Sequence, residues 1–187
     1  DYVIERFRNY QGLIIDVRDN GGGSSSNAYV LASRFARERT KVAEEQRKTG
    51  PGHEDFSARQ DLYIEPPESG TIYTGPVVIL TNRMCYSATN YFVTMMKGLR
   101  SPDIIQMGDS TGGGGGIPSF TVLTNGWQLR VSSSRLFAWD ESDGEFTDNA
   151  EDGIVPDDAH KWSADETDLA NGEDAILDAA VEYILGL

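Results

Sequence analysis

At 187 residues, 39% of them hydrophobic and 10% aromatic, the chain is long enough to bury one substantial core and too short for two comfortable domains. Its formal charge of -14 argues against nucleic acid and anionic membrane surfaces as partners, since both reward Lys and Arg. No apolar run approaches the roughly 20 residues needed to span a bilayer, so no membrane insertion is expected, and a single cysteine, Cys85, excludes an internal disulfide.

The chain opens DYVIERFRNY, with no initiator Met and no signal-like segment, and reads as the tail of an amphipathic helix with Val3, Ile4 and Phe7 on one face. That beginning suggests a piece of a longer polypeptide lacking its N-terminal part. Leu13–Val17 then reads as a buried strand, and the chain breaks at Asp19-Asn20-Gly21-Gly22-Gly23. Consecutive glycines cost backbone entropy and are worth having where the main chain takes positive φ or approaches something closely. Ser24–Asn27 supplies helix N-cap candidates, and the helix that follows is expected to face Tyr29, Val30, Leu31, Phe35 and Ala36 inward. Strand, glycine loop and helix together can present backbone N–H groups to an anion, or form a plain tight turn. Neither this loop nor the one at 112–116 carries the Gly-Lys-Ser/Thr ending of a phosphate loop, which rejects nucleotide binding.

Residues 40–75 read as polar and irregular, with Lys41–Lys48 as an exposed edge strand and His53 in a loop where it could act as a base or, more often for such a residue, neither base nor ligand. The organising stretch is Pro76–Lys97, PVVILTNRMCYSATNYFVTMMK. Val77–Thr81 is an apolar, mostly β-branched run between Gly75-Pro76 and Asn82-Arg83, and reads as a buried strand. From Ser87 the period changes: Ala88, Phe92, Met95, Met96 and Leu99 recur at helical spacing. Ser87 therefore sits where a strand hands over to a helix. Its hydroxyl can cap that helix, or can be lifted out as a nucleophile beside first-turn amides that lack internal partners.

Asp103–Met107 gives a third short strand, followed by five glycines at Gly112–Gly116 that suit a hinge, a lid or a wall against a peptide backbone. Phe120–Leu123 and Trp127–Ser133 flank Asn125-Gly126, a two-residue hairpin signal. Half of the 30 acids fall between Asp140 and Asp178, a run that reads as solvated surface rather than a metal site, so no metal or cofactor is expected. Gly153-Ile154-Val155-Pro156-Asp157 marks a short extended piece, and Asp174–Leu187 a closing helix with Ile176, Leu177, Ala180, Val181 and Ile184 on one face.

Three segments in order, GLIIDVRDNGGG at 12–23, PVVILTNRMCYSATNYF at 76–92 and GDSTGGGGGI at 108–117 with NGWQLRVSSSRLF and DGIVPD after it, resemble the S41 serine peptidases. That resemblance covers nearly the whole chain and implies an α/β fold, a ClpP/crotonase-like core of stacked ββα units. It implies a serine endopeptidase acting on peptides or unfolded protein tails, exported to the cell envelope or periplasm, with an oligomer allowed. Carried over by motif, the nucleophile falls on Ser87, the oxyanion donors on the N–H groups of Gly23 and Ala88, and substrate contacts on Gly22, Gly113 and Gly114.

The processing-protease branch of the family deprotonates its serine with a Lys in the second glycine loop. Gly114 stands about there, and a glycine accepts no proton, so a Ser–Lys dyad is excluded. The tricorn-like branch uses a His ahead of the first core strand, which would precede Asp1, and a Glu just ahead of the Gly-x-x-Pro-Asp motif. An ungapped match puts Ala150 at that Glu, with Glu151 next to it as the orienting carboxylate or one more surface acid. The alternatives are a non-catalytic peptide- or ligand-binding module on the same fold and, more weakly, a crotonase-type enzyme holding a thioester enolate between two glycine loops. The lack of a basic patch for coenzyme A phosphates speaks against the latter.

Overall fold

The computed structural model describes residues 2–163 and 166–186. Helix α1 (Tyr2–Phe7) buries Ile4 and leads into strand β1 (Leu13–Asp16) and helix α2 (Ser25–Ser33). Strands β2 (Thr40–Arg47) and β3 (Gln60–Ile64) follow, then β4 (Val77–Thr81), helix α3 (Ala88–Gly98) and β5 (Ile104–Gly108). The second half contributes β6 (Pro118–Val122), β7 (Gln128–Ser132), β8 (Ser134–Asp140) and β9 (Glu145–Asn149). A 3-10 turn at Ala150–Asp152 and helices α4 (Glu166–Asn171) and α5 (Ala175–Gly186) complete it.

β1, β4 and β5 form a parallel sheet with β4 in the middle. Every residue of β4 is buried because both its edges and both its faces are covered, which is why its sequence is a continuous apolar run rather than an alternation. Val77 and Ile79 face the main core with Phe92, Val93 and Met96 of α3. Val78 and Leu80 point the other way, onto Ile176, Ala180 and Ile184 of α5. The expected inward positions Leu177 and Val181 stay more than a third exposed: the stripe that meets β4 is the narrower one.

A second, antiparallel sheet has the order β3-β2-β8-β9. Here the expectation of an exposed edge at Lys41–Lys48 is corrected, since β2 lies between β3 and β8 with Val42 and Ala43 fully buried. Its charges misled because they pair within the sheet: Lys41 Nζ meets Glu44 Oε1 at 2.7 Å and Asp61 Oδ1 at 2.6 Å. Residues 40–75 accordingly hold two strands, β2 and β3, while 48–59 and 65–75 are irregular as expected. Helix α3 packs against both sheets, and Thr89, Asn90, Phe92, Val93, Thr94, Met95 and Met96 are all buried. α2 lies on α3 through Ala28 and Ala32, while Tyr29, Val30 and Leu31, expected inside, are exposed. Small side chains let the two helices approach, and that contact outranks the bulkier neighbours. Beyond the helix, Phe35 and Ala36 are buried as expected.

Candidate active site

Parallel strands leave their connecting loops together at the carboxyl edge of the sheet, the usual place for a ligand in such folds. Register pairs Asp16 with Leu80 and Thr81 with Gly108, so β1, β4 and β5 end side by side. The loops that leave them are 17–24, 82–87 and 109–117. The first two are pinned to each other: Asp19 N–H donates to Asn82 Oδ1 (3.1 Å), and Asn82 Nδ2 returns a bond to Asp19 Oδ1 (2.9 Å). Tyr86 N–H donates to the Asn20 carbonyl (3.1 Å), and Ser87 N–H to the Gly113 carbonyl (3.0 Å), which ties in the third loop.

Ser87 occupies the N-cap position of α3 with φ 56° and ψ -120°. A non-glycine residue in that region carries about 1–3 kcal/mol of backbone strain, held only because the surroundings over-determine it. Its hydroxyl makes no side-chain cap bond. The structure thus separates the two readings of Ser87: the backbone is at the head of the helix, and the oxygen is not spent on capping it. Cys85, two residues earlier, is the buried counterpart. Burial pushes its thiol pKa up, and Sγ donates to the Val17 carbonyl (2.9 Å), so it is a packed side chain rather than a rival nucleophile.

The first glycine loop lies directly on this turn. A Cβ at Gly22 would fall 2.8 Å from Ser87 Cβ and 2.9 Å from Ala88 N, at φ +105°, so only glycine lets the loop come this close. Gly22 N–H is used internally, by Asn20 Oδ1 (3.0 Å). Among the described residues neither the Gly23 nor the Ala88 N–H donates to a protein acceptor. Gly23 and Ala88 also face one cavity of about 280 Å³, with Asn20, Asn27 and Leu31.

Ser87 itself lines a separate cleft of about 280 Å³, with Tyr86, Gly114, Arg130, Ser132 and Glu151. Gly113 is pressed against the Glu151 backbone: at φ +84°, a Cβ there would stand 2.0 Å from the Glu151 carbonyl oxygen. A Cβ at Gly114 would meet the Tyr86 ring at 2.5 Å, so this loop has no room for a lysine unless that ring moves. Glu151 is brought to the cleft by the 3-10 turn after β9. Its Oε1 accepts from Gly116 N–H (2.6 Å) and Ser132 Oγ (3.2 Å). The turn is anchored from below by Asn90 of α3, fully buried, whose Nδ2 donates to the Ala150 carbonyl (2.8 Å). Asn90 Oδ1 accepts from Thr111 Oγ1 (2.5 Å), which itself accepts from Ile154 N–H (2.7 Å).

Neither of the two histidines lines either side of the site. His53 is exposed and bonded to Glu54; His160 pairs with Asp157 and packs on Tyr183. Among the described residues no group of three or more His, Cys, Asp or Glu is placed to hold a metal ion. Sequence reasoning singled out Ser87, Gly22, Gly23, Ala88, Gly113, Gly114 and Glu151. It missed Tyr86, Arg130 and Ser132, which reach the cleft from a turn and a hairpin, and Asn90, whose only signal, a polar residue within α3, is shared with Thr89 and Thr94. Arranged this way, one cleft holds an unbonded hydroxyl and a carboxylate, and the cavity next to the Ser87–Ala88 turn holds two amides without an acceptor among the described residues, the group types that acyl transfer to a serine uses.

The family model for Peptidase family S41 matches residues 1–159. Among solved structures, a protein from Parabacteroides merdae described as a candidate peptidase is 39% identical, with TM-score 0.84 over 98% of this chain and 55% of its own. The photosystem II D1 C-terminal processing protease aligns at 21% identity and TM-score 0.60, over 88% of this chain and 37% of its own. The tricorn protease aligns at 20% identity and TM-score 0.59, over 96% of this chain and 16% of its own. Those two likenesses concern the fold and do not separate the two branches. No curated protein matches the chain. The chain thus spans little more than half the length of the Parabacteroides merdae protein.

Proposed function

Because the chain belongs to peptidase family S41, we propose that it is the core of a serine endopeptidase acting on peptides or unfolded protein tails, with Ser87 as its nucleophile. Ser87 Oγ attacks the scissile carbonyl carbon, its proton passes to a base, and the Gly23 and Ala88 N–H groups receive the oxyanion. Collapse expels the amine, which takes the proton from the base, and water then cleaves the acyl-enzyme by the same route. No His or Lys lines the Ser87 cleft, so the proposal assigns the base to a histidine upstream of Asp1, with Glu151 orienting it. Export to the cell envelope is part of the same reading; no helix among the described residues is long and apolar enough to cross a membrane.

The observation that carries the proposal is the strained Ser87 backbone with its hydroxyl free of the helix cap, next to two amides without acceptors. A second reading, a peptide-binding module without turnover, draws on the same cleft and on the absence of a His or Lys among its described residues. Fluorophosphonate labelling of the full-length protein decides between them. Labelling that disappears in Ser87→Ala supports the peptidase; equal labelling of the two proteins refutes the assignment, and no labelling of either favours the binding module.

A further inference from the structure

In a chain with 30 acidic and 16 basic residues, a cation that pairs with no carboxylate is informative. Every other arginine among the described residues donates a hydrogen bond or pairs with a carboxylate: Arg18 with Asp16 and Asp174, Arg37 with Asp103, Arg135 with Glu54, Arg100 to the Lys41 carbonyl. Arg130 does neither among those residues, and it sits in the wall of the Ser87 cleft. Its contact is with an aromatic ring, the guanidinium carbon lying 5.3 Å from the centroid of Phe120.

The hairpin explains that placement. Phe120 pairs with Arg130 and Pro118 with Ser132, so these four side chains share one face. Pro118, Arg130 and Ser132 line the cleft with Ser87, which makes that face a wall of it. The neighbouring carboxylate, Glu151, is held by Gly116 N–H and Ser132 Oγ and makes no ion pair with Arg130. A guanidinium held by a ring rather than by a carboxylate keeps its donors free for a planar, two-oxygen acceptor. We infer that Arg130 is a specificity residue that pairs with a carboxylate of the bound peptide, either an acidic side chain near the scissile bond or the free C-terminus. This rests on the reading of the cleft as a peptide site, and it predicts a preference that the family assignment does not.

The test is binding, not turnover, in the full-length protein carrying Ser87→Ala. The probes are fluorescein-labelled Ala/Leu octapeptides with one Glu moved through each position, their Gln counterparts, and each as free acid and as C-terminal amide. Arg130 is exposed, so Arg130→Gln should leave the fold intact, checked by an unchanged melting curve. Replacing the recognised carboxylate should weaken binding about tenfold in the Arg130 protein and hardly at all in Arg130→Gln, with Arg130→Lys between. Loss on Glu→Gln at one position identifies a side-chain carboxylate; loss on amidation identifies the C-terminus. Peptides that bind equally to both proteins, whatever their charge, overturn the inference and leave the cleft reading standing. Failure of every peptide to bind either protein overturns both.

Discussion

Asn90→Ala probes the joint between the Ser87 helix and the Glu151 turn. Asn90 is fully buried and makes two side-chain bonds, to the Ala150 carbonyl at 2.8 Å and from Thr111 Oγ1 at 2.5 Å. Truncation leaves that carbonyl and that hydroxyl hydrogen without their partners in a site water does not reach. Each orphaned group costs about 1–3 kcal/mol, and the small cavity about 1 more, so a loss of about 3–7 kcal/mol is expected. Against a total stability of about 5–15 kcal/mol that is a large fraction. Urea unfolding followed by far-UV circular dichroism measures it; at a slope of about 2 kcal/mol/M the midpoint falls by about 1.5–3.5 M. Asn90→Asp at pH 7 should be at least as damaging, because a carboxylate oxygen then faces the Ala150 carbonyl. Its deficit should shrink on acidification, as the buried acid, with its pKa raised in the folded state, takes up a proton. A loss below about 1 kcal/mol for Asn90→Ala would refute the view that this pair of bonds holds the turn.

The C-terminal helix is tied to β1 through Arg18, whose Nη1 and Nη2 donate to Asp174 at 2.8 and 2.6 Å. Hydrogen bonding from Arg18 lowers the Asp174 pKa below the ordinary aspartate value of 3.8, so the contribution is complete above about pH 4 and is lost as pH falls through the lowered folded-state value. With Asp174 about a third exposed, Asp174→Asn should cost about 1 kcal/mol at pH 7 and the gap to wild type should close in strong acid; a gap constant with pH would contradict this. Gly22→Ala should abolish phosphonate labelling, because the new Cβ meets Tyr86 O at 2.6 Å and Ser87 Cβ at 2.8 Å, whereas Gly21→Ala, with nothing within 4 Å, should label normally. Glu151→Gln keeps an acceptor for Gly116 N–H and Ser132 Oγ, so the melting curve should hold while peptide hydrolysis by the full-length protein falls at least about tenfold; full activity would remove Glu151 from the proposed machinery.

The parallel sheet was legible because complete burial writes itself as an unbroken apolar run, as in β4, and the Ser87 turn because the period changes there. β2 was misread for the opposite reason. Its Lys41, Glu44 and Glu45 look solvated in sequence, yet they satisfy one another and Arg59 and Arg47 across and along the sheet. The buried side of α2 was misassigned because alanines at a close helix contact carry little hydrophobic signal beside Tyr29 and Leu31. Gly22 and Ala88 could be placed from motif alone, since a loop and a helix start are local features. Arg130 could not: its meaning depends on a hairpin register and on the lack of an ion pair among the described residues, and both are tertiary facts.

The most direct measurement is the crystal structure of the full-length protein after reaction with a peptidyl phosphonate. The account predicts a covalent bond from Ser87 Oγ to phosphorus, with one phosphoryl oxygen about 3 Å from both Gly23 N and Ala88 N. Phosphorus on another residue, or bonded to Ser87 with that oxygen turned away from both amides, would contradict it.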